Sequence, residues 1–157
     1  MSRTNFINYS DNNKGPDYNT LILYQNIEYF YNNNSGTIVF LTNGQFQYNN
    51  SAKHFLNYLC KLNLTTIEAY NKGIALVFNY KYNNPIVLKE LAIIVVGNIN
   101  NYETIYINYN NLVSIHEITK KILKLTFKSG NILEIEKSKY FFNKQIIKIE
   151  NVKRYLK

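Results

Sequence analysis

Apolar and polar residues alternate in residues 121–127, in the C-terminal part of the chain. Three apolar side chains fall on one side of this segment, and the residues between them are polar: Leu123, Leu125 and Phe127. A period of two is typical of a strand with one buried face. A turn containing Gly130 follows, because glycine takes a positive φ without steric cost. Residues 132–137 are therefore predicted to be the returning strand of a β-hairpin.

Beyond Ser138 the period becomes that of a helix. The Ser138 side chain can accept a hydrogen bond from the first free N–H groups of a helix. Two neighbouring helical lines carry a packing stripe, Phe141, Gln145, Lys148 and Val152 on one and Phe142, Ile146, Ile149 and Lys153 on the next. The chain is predicted to end in a hairpin followed by an amphipathic helix.

Earlier in the chain, aromatic and β-branched segments predict strands over residues 21–24, 27–31 and 37–41. Asn43-Gly44 is a strong hairpin signal and leads into residues 46–48. The first fifty residues are thus predicted to form a small antiparallel meander. Residues 1–19 are polar and are predicted to be a flexible lead-in.

The middle of the chain changes to a helical period at Ser51. Ser51 is a candidate helix cap, followed by an apolar stripe of Phe55, Tyr58, Leu59 and Leu62. Thr65 and Glu68 have the spacing of a capping box, and Gly73 has the position of a glycine that ends a helix. These signals predict a second short helix over residues 66–72.

The later segments complete the fold prediction. Residues 74–80, 104–108 and 113–118 are predicted strands, whereas the apolar run 86–97 fits either a helix or two short strands. We therefore predict an α+β fold, mainly an antiparallel β-sheet with a short central helical segment and a C-terminal amphipathic helix. Residues 20–157 are predicted to be a single domain.

Composition limits the class of protein. No apolar run approaches the roughly twenty residues that span a bilayer, and the N-terminus lacks the apolar core of a signal peptide. The single cysteine, Cys60, has no intrachain partner, which favours a reducing, cytoplasmic location. The bias toward Asn, Lys, Ile and Tyr is typical of A/T-rich codons.

Positive charge is concentrated at one end of the chain. Eleven of the 18 Lys and Arg residues lie in residues 118–157, against only Glu134, Glu136 and Glu150. The first 117 residues hold seven basic and seven acidic residues, so the whole net charge of +8 comes from the last quarter. Such asymmetry indicates a polyanionic partner, either nucleic acid or an anionic membrane surface.

Catalytic and metal-binding patterns are weak. The two histidines, His54 and His116, have no suggestive spacing to Cys60, which is predicted to be a buried thiol on the first helix. His54 and Cys60 are too few for a zinc site, and the six glycines form no phosphate-binding loop. We expect no catalysis, no cofactor and no metal.

Several short motifs occur in a consistent order along the chain. They are Pro85-Ile86-Val87-Leu88, Tyr106-Ile107-Asn108, Leu125-Thr126-Phe127-Lys128-Ser129-Gly130, and then Ser138 and Gln145. Residues 51–55, with Tyr58 and Lys61 after them, resemble a further motif. Together these residues resemble the ComK-type competence transcription factors of Gram-positive bacteria. The resemblance implies a DNA-binding activator of genes for DNA uptake, working as an oligomer on A/T-rich boxes.

Neutralisation of phosphates by Lys and Arg is the expected binding mechanism. The candidate residues lie on the first helix, around the hairpin and on the last helix: Lys53, Lys61, Lys120, Lys121, Lys124, Lys128, Lys139, Lys144, Lys148, Lys153 and Arg154. We expect the partner to be double-stranded DNA.

Three alternatives stay open at this point. The hairpin-then-helix ending also resembles the end of a PH-like domain, which would bind a protein or anionic lipid. An adaptor or inhibitor would use a tyrosine-rich sheet as its interface, with Tyr24, Tyr29, Tyr31 and Tyr48 as anchors. An enzyme would require carboxylates and the two histidines in one pocket.

Overall fold

The structure is a computed structural model that describes residues 24–157 and, as backbone, the strand Thr4–Phe6. The strands are β1 (Thr4–Phe6), β2 (Ile27–Asn33), β3 (Gly36–Leu41), β4 (Gly44–Tyr48), β5 (Ile86–Leu88), β6 (Leu91–Val96), β7 (Ile105–Asn108), β8 (Leu112–Thr119), β9 (Ile122–Phe127) and β10 (Ile132–Ile135). The helices are α1 (Ala52–Leu62), α2 (Ile67–Phe78) and α3 (Lys139–Tyr155), with a 3₁₀ turn at Tyr109–Asn111.

In the part of the chain that the structure describes, ten strands form two sheets. A seven-stranded sheet has the order β1-β4-β3-β2-β7-β6-β5, and a three-stranded sheet has the order β10-β9-β8. Neighbouring strands are antiparallel except β1 and β4, which are parallel. The predicted meander is confirmed over β2, β3 and β4, and Asn43-Gly44 makes the tight β3–β4 connection. The predicted α+β fold is confirmed.

The large sheet is buried on both faces. Adjacent residues of a strand point to opposite faces, so Phe30 and Tyr106 enter one core while Tyr29 and Ile107 enter the other. Helix α1 covers the first face with its buried stripe of Phe55, Leu56 and Leu59. The small sheet and α3 together cover the second face, through residues that include Leu123, Leu125, Phe127, Phe142, Ile149 and Val152.

Burial on both faces explains the ambiguous run 86–97. The structure resolves it as two antiparallel strands, β5 and β6, and Leu91 to Ile94 are all buried. A strand with two buried faces is apolar throughout, so it loses the alternation that identifies a strand in sequence.

The prediction for residues 66–80 is wrong in its second half. Helix α2 continues to Phe78, so residues 74–78 are not a strand and Gly73 lies inside the helix. The cap is Thr66 rather than Thr65, and its side chain accepts a hydrogen bond from the Ala69 N–H at 3.0 Å. Asn79 ends the helix in the left-handed conformation at φ 59°. An asparagine takes the terminal position that the sequence assigned to glycine.

Other predicted elements lie within a residue or two of the observed ones. Ser51 and Ser138 cap α1 and α3 by accepting bonds from the His54 and Phe141 N–H groups, each at 3.1 Å. The strand predicted over residues 21–24 lies outside the described residues except Tyr24, which is helical. The predicted lead-in also lies outside them apart from β1. The extent of the domain stays a prediction. In the described part of the chain, no helix combines the length and apolar character needed to cross a membrane.

Candidate nucleic-acid interface

Strand β9 displays the alternation expected from its sequence. Leu123, Leu125 and Phe127 are buried on the inner face of the small sheet, which packs against the large sheet. Lys124 lies half-exposed on the outer face. The partner of Lys124 on β10 is Glu134, and its partner on β8 is His116. A carboxylate directly across the strand pair reduces the positive potential at the middle of this face.

Cations converge where α3 begins. The β8–β9 turn carries Lys120 and Lys121, and Lys121 lines a concavity of about 480 Å³ together with Ile122, Glu136, Lys137 and Ser138. Lys139 is the first residue of α3, whose first turn contains no acidic residue. The helix dipole adds positive potential at the same place. We call Lys120, Lys121, Lys137 and Lys139 the first basic end.

A second group of cations lies at the other end of β9 and α3. The Lys128 N–H donates to the Asn111 carbonyl oxygen at 3.0 Å. The Lys153 ammonium donates to Asn110 Oδ1 at 2.9 Å and lies 5.9 Å from the centre of the Tyr109 ring. Both lysines therefore contact the 3₁₀ turn, and Arg154 follows Lys153 on the helix. We call Lys128, Lys153 and Arg154 the second basic end.

Strand and helix geometry set the separation of the two ends. Six residues of strand extend about 20 Å, and seventeen residues of helix extend about 25 Å. Strand β9 and helix α3 both run from one basic end to the other. The cations therefore occupy the two ends of one unit formed by β9, β10 and α3, which we call the hairpin-and-helix unit. The separation is comparable with a short stretch of duplex DNA.

Two candidate lysines lie on the flank of α3. The Lys144 ammonium is 4.9 Å from the centre of the Tyr140 ring. The Lys148 ammonium donates to the Tyr82 carbonyl oxygen at 3.0 Å, and partial burial, with the charge of Lys144, lowers its pKa. Lys148 therefore ties α3 to the α2–β5 connection, and it must exchange this bond to contact a phosphate.

The two candidates on α1 lie away from this unit. Lys53 and Lys61 are exposed on the helix that covers the opposite face of the large sheet. The Lys53 ammonium donates to Asn100 Oδ1 at 2.9 Å and lines a groove of about 890 Å³ between α1 and α2. The structure thus brings most of the candidate cations onto one unit and leaves these two on another surface.

Two further residues bear on this unit, Lys137 within it and Glu28 on β2 of the large sheet. Lys137 lies beside Lys121 at the first basic end, and the signal that identifies it is its place directly before the Ser138 cap. Glu28 is fully buried, and its carboxylate contacts the β9–β10 turn next to Lys128. No sequence pattern connects Glu28 with a turn 101 residues away.

The candidate residues for catalysis and for a protein interface make contacts inside the fold. Burial raises the pKa of the Cys60 thiol to about 12, so the thiol is protonated at neutral pH. His54 Nδ1 lies 2.6 Å from the Tyr48 hydroxyl. Within residues 24–157, no three His, Cys, Asp or Glu side chains are grouped to hold a metal ion. Tyr24, Tyr29 and Tyr48 belong to the cores and are not surface anchors.

Comparison with known proteins gives one family. The model of the family described as ComK protein matches residues 17–157. No curated protein and no solved structure matches the chain.

Proposed function

This chain belongs to the ComK family, and we propose that it is a competence-type transcriptional regulator that binds double-stranded, A/T-rich DNA without catalysis. The family is one of competence transcription factors. We place the protein in the cytoplasm and propose that it acts as a homo-oligomer.

The observation that carries this proposal is the pair of basic ends on one hairpin-and-helix unit. B-DNA carries one phosphate per about 1.7 Å of axis, so about 20 Å of duplex presents on the order of a dozen phosphates. Lys120, Lys121 and Lys139 are exposed at the first end, and Lys128 and Arg154 at the second. These side chains neutralise phosphates and release condensed counterions, which drives binding.

The remaining candidates have secondary roles in the proposal. Lys124 and Lys144 lie between the two ends, whereas Lys148 and Lys153 exchange their internal hydrogen bonds for phosphate oxygens. Lys53 and Lys61 on α1 would contact a second segment of DNA or a second duplex. Preference for A/T-rich sequence then comes from groove shape and from Asn and Lys side chains at the groove edge.

A salt series tests the proposal. Binding of the purified protein to an A/T-rich duplex is measured by gel shift, and log K is plotted against log salt concentration. The variant Lys120→Ala/Lys121→Ala removes two phosphate contacts, so its slope is expected to be about 1.8 less steep than that of the wild type. The matched control is Lys72→Ala, an exposed lysine of α2 paired with Glu68 at 3.0 Å, for which we expect the wild-type slope.

The same cations would also support binding to anionic lipid, so binding to anionic vesicles is measured alongside binding to the duplex. We expect the DNA to compete with the vesicles and the wild-type protein to bind the duplex with a steep negative slope. Absent or salt-independent DNA binding, with retention on anionic vesicles, would retire the DNA proposal.

A further inference from the structure

Glu28 is a fully buried carboxylate in the middle of the protein. Its side chain is 0% exposed, and among the described residues no Lys or Arg forms an ion pair with it. An isolated charge in such a position is costly unless hydrogen bonds compensate it. Loss of its hydrogen-bond partners would leave an uncompensated buried charge, so we expect these partners to stay in contact with the carboxylate in the folded protein.

Among the described residues, the three donors to this carboxylate come from the β9–β10 turn. The Ser129 N–H donates to Oε2 at 2.8 Å, and the Ser129 hydroxyl donates to Oε1 at 2.6 Å. The Asn131 side-chain amide donates to Oε1 at 3.2 Å. Hydrogen bonds to a charged acceptor are stronger than those between neutral groups. Strong hydrogen bonds of this kind therefore hold the β9–β10 turn to the large sheet.

A β-bulge directs Glu28 toward the turn. The β2–β3 register shifts between Ile27 and Tyr29, so Glu28 is the extra residue of the bulge. The Ile27 carbonyl oxygen there accepts hydrogen bonds from the Asn108 and Asn111 side-chain amides, at 2.8 and 2.6 Å. Bulges of this kind redirect a side chain and are specific features of a sheet. Two buried asparagines thus fix the conformation that directs Glu28 to the small sheet.

Lys128 is the residue that this contact positions. Its own N–H donates to the Asn111 carbonyl oxygen at 3.0 Å, and the next residue, Ser129, is held by Glu28. The backbone on both sides of the Lys128 side chain is therefore fixed to the large sheet. We propose that Glu28 is a positioning residue for the second basic end: it pre-organises the Lys128 turn for contact with a DNA phosphate.

This inference rests on the proposed function, because it assigns a role within the same DNA-binding unit. A fixed turn lowers the entropy that Lys128 loses on binding, so we expect the phosphate contact of Lys128 to be lost when the turn is released. Glutamine at position 28 keeps one acceptor oxygen but places an NH₂ group against the remaining donor of the turn, so the hydrogen bonds that hold the turn are no longer all made. Glu28→Gln is therefore expected to have the same effect on DNA binding as Lys128→Ala.

The experiment is a double-mutant cycle read from the salt slope. Loss of one phosphate contact makes the slope about 0.9 less steep and weakens binding about eightfold at 0.1 M salt. We expect this change in slope and affinity for Lys128→Ala and for Glu28→Gln. We expect the double variant to show the same change and no further one. The control Thr37→Val removes a hydrogen bond of another buried residue, from the Thr37 hydroxyl to the Asn50 carbonyl oxygen at 2.7 Å. It is expected to lower stability and keep the wild-type slope.

A second variant addresses the case in which Glu28→Gln does not fold. Ser129→Ala/Asn131→Ala changes two residues of the turn, removes two of the three donors and leaves β2 intact. It is expected to change the slope in the same way, with faster hydrogen exchange at the Ser129 amide. A wild-type slope for either the Glu28 or the turn variant, or for Lys128→Ala, would overturn the positioning role while DNA binding stands. A wild-type protein with no salt-dependent DNA binding would refute the proposed function, and this inference with it.

Discussion

Tyr106 and Tyr70 differ in what their hydroxyl groups contact. The Tyr106 ring is fully buried and stacks on Phe30 at 4.9 Å, and its hydroxyl has no hydrogen-bond partner among the described residues. The Tyr70 hydroxyl accepts the Val87 N–H at 2.9 Å. The same functional group therefore destabilises the protein at one position and stabilises it at the other.

We expect Tyr106→Phe to stabilise the protein. A buried, unpaired hydroxyl costs about 1–3 kcal/mol, and phenylalanine keeps the stacked ring while removing the hydroxyl. The free energy of unfolding, measured by urea denaturation, is expected to rise by about 1 kcal/mol.

The matched control is Tyr70→Phe, which removes a hydroxyl that has a partner. It leaves the Val87 N–H unpaired at the start of β5, so the free energy of unfolding is expected to fall by about 1 kcal/mol. Equal effects of the two substitutions would contradict the different roles assigned to the two hydroxyl groups.

At the scale of elements, α2 contains a glycine that its structure does not require. Gly73 lies in the middle of the helix, and a Cβ added there would meet no atom within 4 Å. Glycine is less favourable than alanine in a helix by up to about 1 kcal/mol, because it loses more backbone entropy on folding. The helix therefore forms despite this residue, through its caps and packing.

We expect Gly73→Ala to raise the free energy of unfolding by about 0.5–1 kcal/mol. Thermal denaturation followed by circular dichroism measures the change, with an expected rise in Tm of about 2–4 °C for 1 kcal/mol in a protein of this size. Gly130→Ala is the control, since that position also has open space but takes φ +92°, where alanine is strained. A rise for both variants would contradict this explanation.

The helix ends show how far local signals determine this fold. Ser51 and Ser138 were identified from sequence because each cap lies directly before its helical stripe. The helix end predicted at Gly73 is wrong, because the sequence does not show that this glycine lies exposed inside the helix. Asn79 ends α2 instead, in the left-handed backbone conformation. The run 86–97 was ambiguous because burial on both faces removes the alternation of a strand.

The candidate site was predictable only as a charged segment. The cations of its two ends lie within residues 120–154, but their division into two ends depends on the lengths of β9 and α3. Lys137 could be found from its position before a helix cap, whereas the contact of Glu28 depends on a bulge fixed by Asn108 and Asn111. Such long-range contacts have no periodic signature, so sequence patterns do not reveal them.

At the scale of the whole molecule, one sheet joins two cores. Tyr24 and Tyr106 belong to the core under α1, Tyr29 belongs to the core under the small sheet and α3, and Tyr70 packs against both. Burial raises the pKa of each of these tyrosines from 10.0 to about 12. Their ionisation therefore bears on the stability of both cores together.

We expect stability to fall steeply between about pH 10 and pH 12. The folded state favours the neutral phenols, so their contribution is complete below the unfolded pKa and is lost as the pH rises through the folded pKa. Each tyrosine adds up to about 1.4 kcal/mol per pH unit to the slope in this window, and the Cys60 thiol extends the loss down to about pH 9. Urea midpoints measured at a series of pH values give this slope. Tyr106→Phe is expected to reduce it by up to about 1.4 kcal/mol per pH unit, and an unchanged slope would show that Tyr106 ionises alike in both states.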